Sequence, residues 1–197
     1  MAEPTDIQTR TSIAAHAALL AQIDEELVVF VEVVSRAVVE TLEHDGKLLI
    51  AGNGGSAADA QHMAAEFTGR FSINRPALPA LALTTDSSAL TAIGNDFGFA
   101  EVFARQVEAL GRPGDALILI STSGNSENIL QAARIAAARG IKVFGLGGRD
   151  GGRLRDLVAT MFVVPHKDTA RIQEVHLLVE HLICETVEQI LFYGAGD

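Results

Sequence analysis

The stretch that decides the fold runs from Lys47 to Phe67, KLLIAGNGGSAADAQHMAAEF. Leu48-Leu49-Ile50-Ala51 has the length and apolar composition of a buried strand. Gly52-Asn53-Gly54-Gly55 then forms a turn whose glycines allow unusual backbone angles and a close ligand approach. Ser56 reads as an N-cap, and Ala57 to Phe67 as a helix of good formers. Strand, glycine turn and helix start together make an anion site, because unpaired N–H groups and the helix dipole point at the turn. His62 and Glu66 stand four residues apart and project from one face of that helix.

The surrounding composition narrows the function. With 197 residues the chain suits one domain with a substantial core. A net charge of −10 argues against a surface built for nucleic acid or anionic membrane. It leaves room for a phosphorylated small molecule, since backbone amides bind phosphate without Lys or Arg. The single Cys184 excludes an internal disulfide and sits in an apolar helical pattern, as a buried, inert thiol would. The opening MAEPTDIQTR lacks the features of a secretory signal, and no apolar run is long enough to span a bilayer. A soluble, cytoplasmic protein is expected.

Outward from the glycine turn, Asp6 to His44 is helix-forming and too apolar for an exposed helix alone. This segment, residues 1–45, is therefore expected to form helices that pack against a neighbouring subunit as well as their own sheet. Further apolar runs at Ala80–Leu83, Ala116–Ile120, Ile141–Leu146 and Ala159–Val164 read as four more strands. Helices are expected between them, at Ser88–Ile93 (broken at Gly94), Glu101–Leu110 and Glu127–Arg139, with a short helix ending at Leu157 and a last one over Arg171–Phe192. Short apolar strands alternating with helices give an α/β, three-layer, doubly wound fold around a five-stranded parallel sheet. Ligands in such sheets bind at the carboxyl ends of the strands.

Three stretches could carry chemistry. Gly52-x-Gly54-x-x-Ala57 fits a dinucleotide fingerprint formally, and a lone match is weak. Ser121-Thr122-Ser123-Gly124-Asn125-Ser126 follows a strand and precedes a helix. Capping needs one hydroxyl, and four favour a phosphate cradle. The His62/Glu66 pair, and Gln173, Glu174, His176, Glu180 and His181 on the last helix, are by spacing alone read as exposed helix pairs, the commoner fate. A His/Glu/amide set could also hold a borderline metal, and spacing leaves this open.

Taken together, AGNGGSAADAQHMAAEFTGRF (Ala51–Phe71), RPALPALALTTD (Arg75–Asp86), AIGNDFGF (Ala92–Phe99), STSGNSENIL (Ser121–Leu130) and RIQEVHLLVEHL (Arg171–Leu182) resemble the sugar isomerase (SIS) fold, and within it the phosphoheptose isomerases. The resemblance implies conversion of D-sedoheptulose 7-phosphate to D-glycero-D-manno-heptose 7-phosphate through an enediol, for ADP- or GDP-heptose and surface glycans. It implies a homotetramer with interfacial active sites. It places phosphate and substrate contacts on Asn53, Gly54, Gly55, Ser56, Ser121, Thr122, Ser123, Ser126 and Gln173, with Asn95 and Asp96 nearby, and zinc on His62, Glu66, Gln173 and His181. Glu66 is the implied base and His181 the implied acid. Two features depart from the pattern: Gly147 stands where a Thr is common, and Asp168 is only a candidate for a further acidic group. The alternatives are a non-catalytic binding protein resembling the DnaA initiator-associating protein, and an isomerase of another sugar phosphate. Glu66, His181 and an intact serine loop favour the enzyme.

Overall fold

The computed structural model describes residues 4–193. Two helices open the chain, α1 (Pro4–Leu20) and α2 (Asp24–Glu43), within the segment expected to be helical. The core then alternates β1 (Leu48–Gly52), α3 (Gly55–Thr68), β2 (Ala80–Ala82), α4 (Ser87–Phe97), α5 (Ala104–Leu110), β3 (Ala116–Ser121), α6 (Glu127–Ala138), β4 (Lys142–Gly148), β5 (Thr160–Val164) and α7 (Thr169–Phe192). Short 3-10 turns at Phe99–Glu101 and Gly152–Leu157 complete it. Among the described residues no helix is long and apolar enough to cross a membrane.

All five strands are parallel, in the order β2-β1-β3-β4-β5. Their side chains alternate between two cores, as the period of a strand requires. Leu48, Ile50, Ile118, Ile120 and Leu146 face α2, α3 and α7, while Leu49, Leu117, Leu119 and Val143 face α5 and α6. Each such side chain contributes about 2 kcal/mol of burial, so both layers of helices are firmly held. At the amino end of the sheet, Asp115 accepts from the Lys47 ammonium at 2.6 Å, the Lys47 N–H at 2.9 Å and the Arg112 N–H at 2.8 Å. That clamp pins β1 beside β3 and sets Gly52 opposite Ile120.

The strand order reverses between β1 and β3, which in open α/β sheets is where ligands bind. The glycine turn leaves β1 and the serine loop leaves β3, so both open into that crevice. Helix α4 differs from expectation, running through Gly94, Asn95 and Asp96 to Phe97. Gly98, at φ 89°, ends it, and the Arg105 guanidinium stacks 3.9 Å from the centre of the Phe97 ring.

Candidate active site

Helix α3 starts one residue before Ser56. Gly54 is its N-cap, at φ 58° and ψ −120°, a conformation costly for any residue with a Cβ. Ser56, expected to be the cap, lies instead buried in the first turn. No side chain caps α3, so its first N–H groups stay available to an anion.

The serine loop likewise leaves its helix without a side-chain cap. Ser126 occupies the N-cap position of α6, yet its hydroxyl makes no capping bond. Ser123 Oγ accepts the Asn125 N–H at 3.2 Å, and Ser121 is buried at the end of β3. Gly124 turns the loop at φ 62°, where an added Cβ would collide with the Gly151 carbonyl. A pair of amides joins the two loops: Asn53 Nδ2 donates to Asn128 Oδ1 at 2.9 Å, and Asn128 Nδ2 donates to Asn53 Oδ1 at 2.8 Å. Asn128 is buried and was not singled out from the sequence. The only local signal was a polar residue inside the first turn of an otherwise apolar helix face.

Helices α3 and α7 lie side by side on one face of the sheet. His62 Nε2 and His181 Nε2 are 2.9 Å apart, and His62 Nε2 is 3.5 Å from Glu66 Oε1. The His181 ring also lies 5.8 Å from that of Phe71, centre to centre. Gln173, one helical ridge away on α7, rests on the glycine turn, with Nε2 2.5 Å from where a Cβ on Gly55 would be. Glu66, His62 and His181 thus meet across α3 and α7, Gln173 meets the glycine turn, and Asn53 and Asn128 tie that turn to the start of α6. Among the described residues no three His, Cys, Asp or Glu side chains are gathered as a metal cage.

A buried network holds this face in place. Glu188 of α7 accepts the N–H groups of Phe71, Ser72 and Ile73, the Ser72 hydroxyl and Arg75 Nε. Arg75 in turn donates to the carbonyls of Glu66 at 2.7 Å and Phe67 at 2.9 Å. It therefore closes the C-terminal end of α3 beside Glu66 and fixes the segment carrying Phe71. Burial pushes the Glu188 carboxyl up, but the bonds from Ser72, Arg75 and Ile73 outweigh it and hold it at about 2.

Two expectations for α7 need correction. His176 and Glu180 are not exposed; both are fully buried. His176 Nε2 bonds the Gly147 carbonyl at 2.9 Å, while burial lowers its pKa to about 4. Glu180 has no partner for either oxygen among the described residues. Burial, then neighbouring Asp59, raises it to about 9. The signal was present: Ile172, Val175, Val179, Ile183 and Val187 mark a buried stripe that includes 176, 180, 184 and 188. Asp168 is the N-cap of α7, its carboxylate accepting the Ala170 N–H at 2.9 Å. Cys184 is buried, and burial raises its thiol pKa.

Two further sequence features have plain physical readings. A Cβ on Gly147 would meet the methyl of Met161, the movable end of a flexible side chain. Asn95 and Asp96 lie exposed near the end of α4, Asn95 Nδ2 donating to Asp96 Oδ1 at 2.7 Å. Among the described residues no hydrogen bond joins them to the glycine turn, the serine loop or His181.

Comparison with known proteins shows the family. The SIS domain model matches residues 13–148. The phosphoheptose isomerase of Aliarcobacter butzleri (strain RM4018) is 54% identical over 90% of this chain and 94% of its own. The structure of the phosphoheptose isomerase of Neisseria gonorrhoeae superposes with a TM-score of 0.89 at 45% identity, covering 94% of this chain and 99% of that one. That of Francisella tularensis gives 0.91 at 37% identity over 95% and 100%.

Proposed function

We infer that this chain, which belongs to the phosphoheptose isomerase family of SIS-domain proteins, is an aldose–ketose isomerase interconverting D-sedoheptulose 7-phosphate and D-glycero-D-manno-heptose 7-phosphate. One observation carries the reading: Glu66, His62 and His181 form a continuous line of proton-transfer groups across α3 and α7, and Gln173 of α7 reaches the uncapped start of α3.

The phosphate is held by the hydroxyls of Ser121, Thr122, Ser123 and Ser126, by Ser56, and by the first N–H groups of α3 and α6. Asn53 is fixed by Asn128 and keeps the two loops in register. With the phosphate anchored, the C1–C2 end of the sugar extends toward Glu66 and His181. Glu66 removes a proton from C1 of the ketose while His181 gives one to the C2 oxygen, which yields the enediol. Glu66 then returns its proton to C2 as His181 takes the proton of the C1 hydroxyl. Both groups end as they began. Asn95 and Asp96 are assigned to the substrate's hydroxyls.

The donor set suits a zinc ion: two imidazole nitrogens, a carboxylate and the amide oxygen of Gln173 are the ligand types a borderline cation takes. His62, Glu66, Gln173 and His181 would hold it. When bound, it would polarise the carbonyl and offset negative charge on the oxygens.

We assign the exposed apolar side chains of Ile13 on α1 and Val28, Val29 and Val33 on α2 to subunit contacts within a homotetramer. The same reading puts the enzyme in the cytoplasm, supplying heptose phosphate for surface glycans. Turnover of sedoheptulose 7-phosphate by wild type, lost in Glu66→Gln, is the test.

A further inference from the structure

Beside the serine loop, on its β4–β5 side, lies a second concavity of about 750 Å³. Its walls are Ser123 and Asn125, Arg149 and Asp150 after β4, and Pro165, His166 and Lys167 after β5. The charge balance is unusual for a chain of net charge −10. Two cations and an imidazole face one carboxylate, Asp150, which is engaged with the Gly152 N–H at 3.1 Å.

The cations are free. Neither Arg149 nor Lys167 has a salt-bridge partner among the described residues, whereas Arg153 close by is paired with Glu127. His166 is oriented as a donor: its Nδ1 accepts the Asp168 N–H at 3.0 Å, so the neutral ring carries its proton on Nε2.

The backbone at Arg149 is the second, independent sign. Its φ is 63°, in the left-handed region, with its N–H bonded to the Val164 carbonyl at 3.0 Å. Gly147, Gly148, Gly151 and Gly152 surround it. A glycine at this position would avoid roughly 1 kcal/mol of strain, yet a long cation is held there.

We propose that Arg149, His166 and Lys167 form a second phosphate subsite next to the serine cradle. The cradle holds phosphate by neutral donors, and this subsite adds the opposite charge that those donors lack. Its ligand is a phosphate dianion on a small molecule, with two possible sources. It is either the substrate's own phosphate on its way into the cradle or a separate phosphorylated metabolite.

The subsite can be probed without turnover, so its test does not depend on the isomerase reading. Wild type and the double variant Arg149→Gln/Lys167→Ala are titrated with inorganic phosphate, followed by ³¹P line broadening and the His166 ring resonances. Both side chains are exposed, and Lys167→Ala alone serves as the check should the double variant fold poorly. Wild type should show two phosphate sites per subunit, the weaker one moving His166. Each charge removed should weaken that site about five-fold. Kinetics then separate the sources. A raised KM with unchanged kcat, and a flatter ionic-strength dependence of kcat/KM, marks the substrate's own phosphate. Unchanged KM with loss of phosphate inhibition marks a separate ligand. A single wild-type phosphate site that leaves His166 unmoved, with affinity and KM unaltered in the variants, would overturn the proposal.

Discussion

Replacing Glu188 with Gln tests the network that fixes the end of α3 and the Phe71–Ile73 segment against α7. In the wild type Oε1 accepts from Ser72 N–H, Ser72 O–H and Ile73 N–H, at 2.9, 2.5 and 2.9 Å, and Oε2 accepts from Phe71 N–H at 3.3 Å and Arg75 Nε at 2.8 Å. An amide has one oxygen. Whichever way it is turned, its NH₂ faces either two donors, one of them the guanidinium, or three. A buried donor left unpaired costs about 1–3 kcal/mol, so a loss of roughly 3–5 kcal/mol is expected. The pH dependence gives an independent figure. Glu188 has a folded pKa of about 2 against an ordinary 4.5, so its ionised form favours the fold by on the order of 3 kcal/mol. That contribution is fully present above the ordinary value and is lost as pH falls through about 2. Urea unfolding at fixed protein concentration, from pH 7 down to pH 3, is the assay. The variant should be less stable at pH 7 and lose less than wild type as pH falls. Because Arg75 bonds the Glu66 carbonyl, kcat should fall too. A variant within about 0.5 kcal/mol of wild type, with an unchanged acid profile, would refute the reasoning.

Other outcomes follow from the same geometry. Gly124→Ala forces a Cβ onto the Gly151 carbonyl at a positive φ, and should cost about 2 kcal/mol or more in thermal unfolding while raising KM. An unshifted Tm and KM would mean that the loop turns otherwise. Gly55→Ala displaces the flexible end of Gln173, so activity should drop about ten-fold with stability nearly unchanged; wild-type activity would remove Gln173 from the site. Val29→Glu with Val33→Glu should yield monomers or dimers on sizing, and an unchanged assembly would move the interface elsewhere.

The strands were legible because each is an apolar run bounded by glycine, proline or aspartate, and all five appear within two residues of their expected ends. The glycine turn and the serine loop were legible as connections for the same reason: their position between strand and helix is a local property. Local signals misled at Ser56, where composition favoured a serine cap and the positive φ of Gly54 instead set the start of α3. They misled again at Gly94–Asp96, poor helix formers that α4 nevertheless includes. The i,i+4 spacing of His176 and Glu180 says that they share a face but not which face meets the sheet. The apolar residues at 172, 175, 179, 183 and 187 decide that, and they bury both. What no local pattern carries is pairing at a distance. Arg75 and Glu188 are 113 residues apart, and Asn53 and Asn128 are 75 apart. Only the register of β1 with β3 and the packing of α7 on α3 bring them together.

The most direct test incubates the protein with D-sedoheptulose 7-phosphate and follows aldose formation by NMR, for wild type and Glu66→Gln at matched folding and metal content. The account predicts heptose 7-phosphate from wild type and a loss of at least about a hundred-fold in the variant, the size expected for removing a general base. Turnover by the variant at the wild-type rate, or none by well-folded wild type, would contradict it.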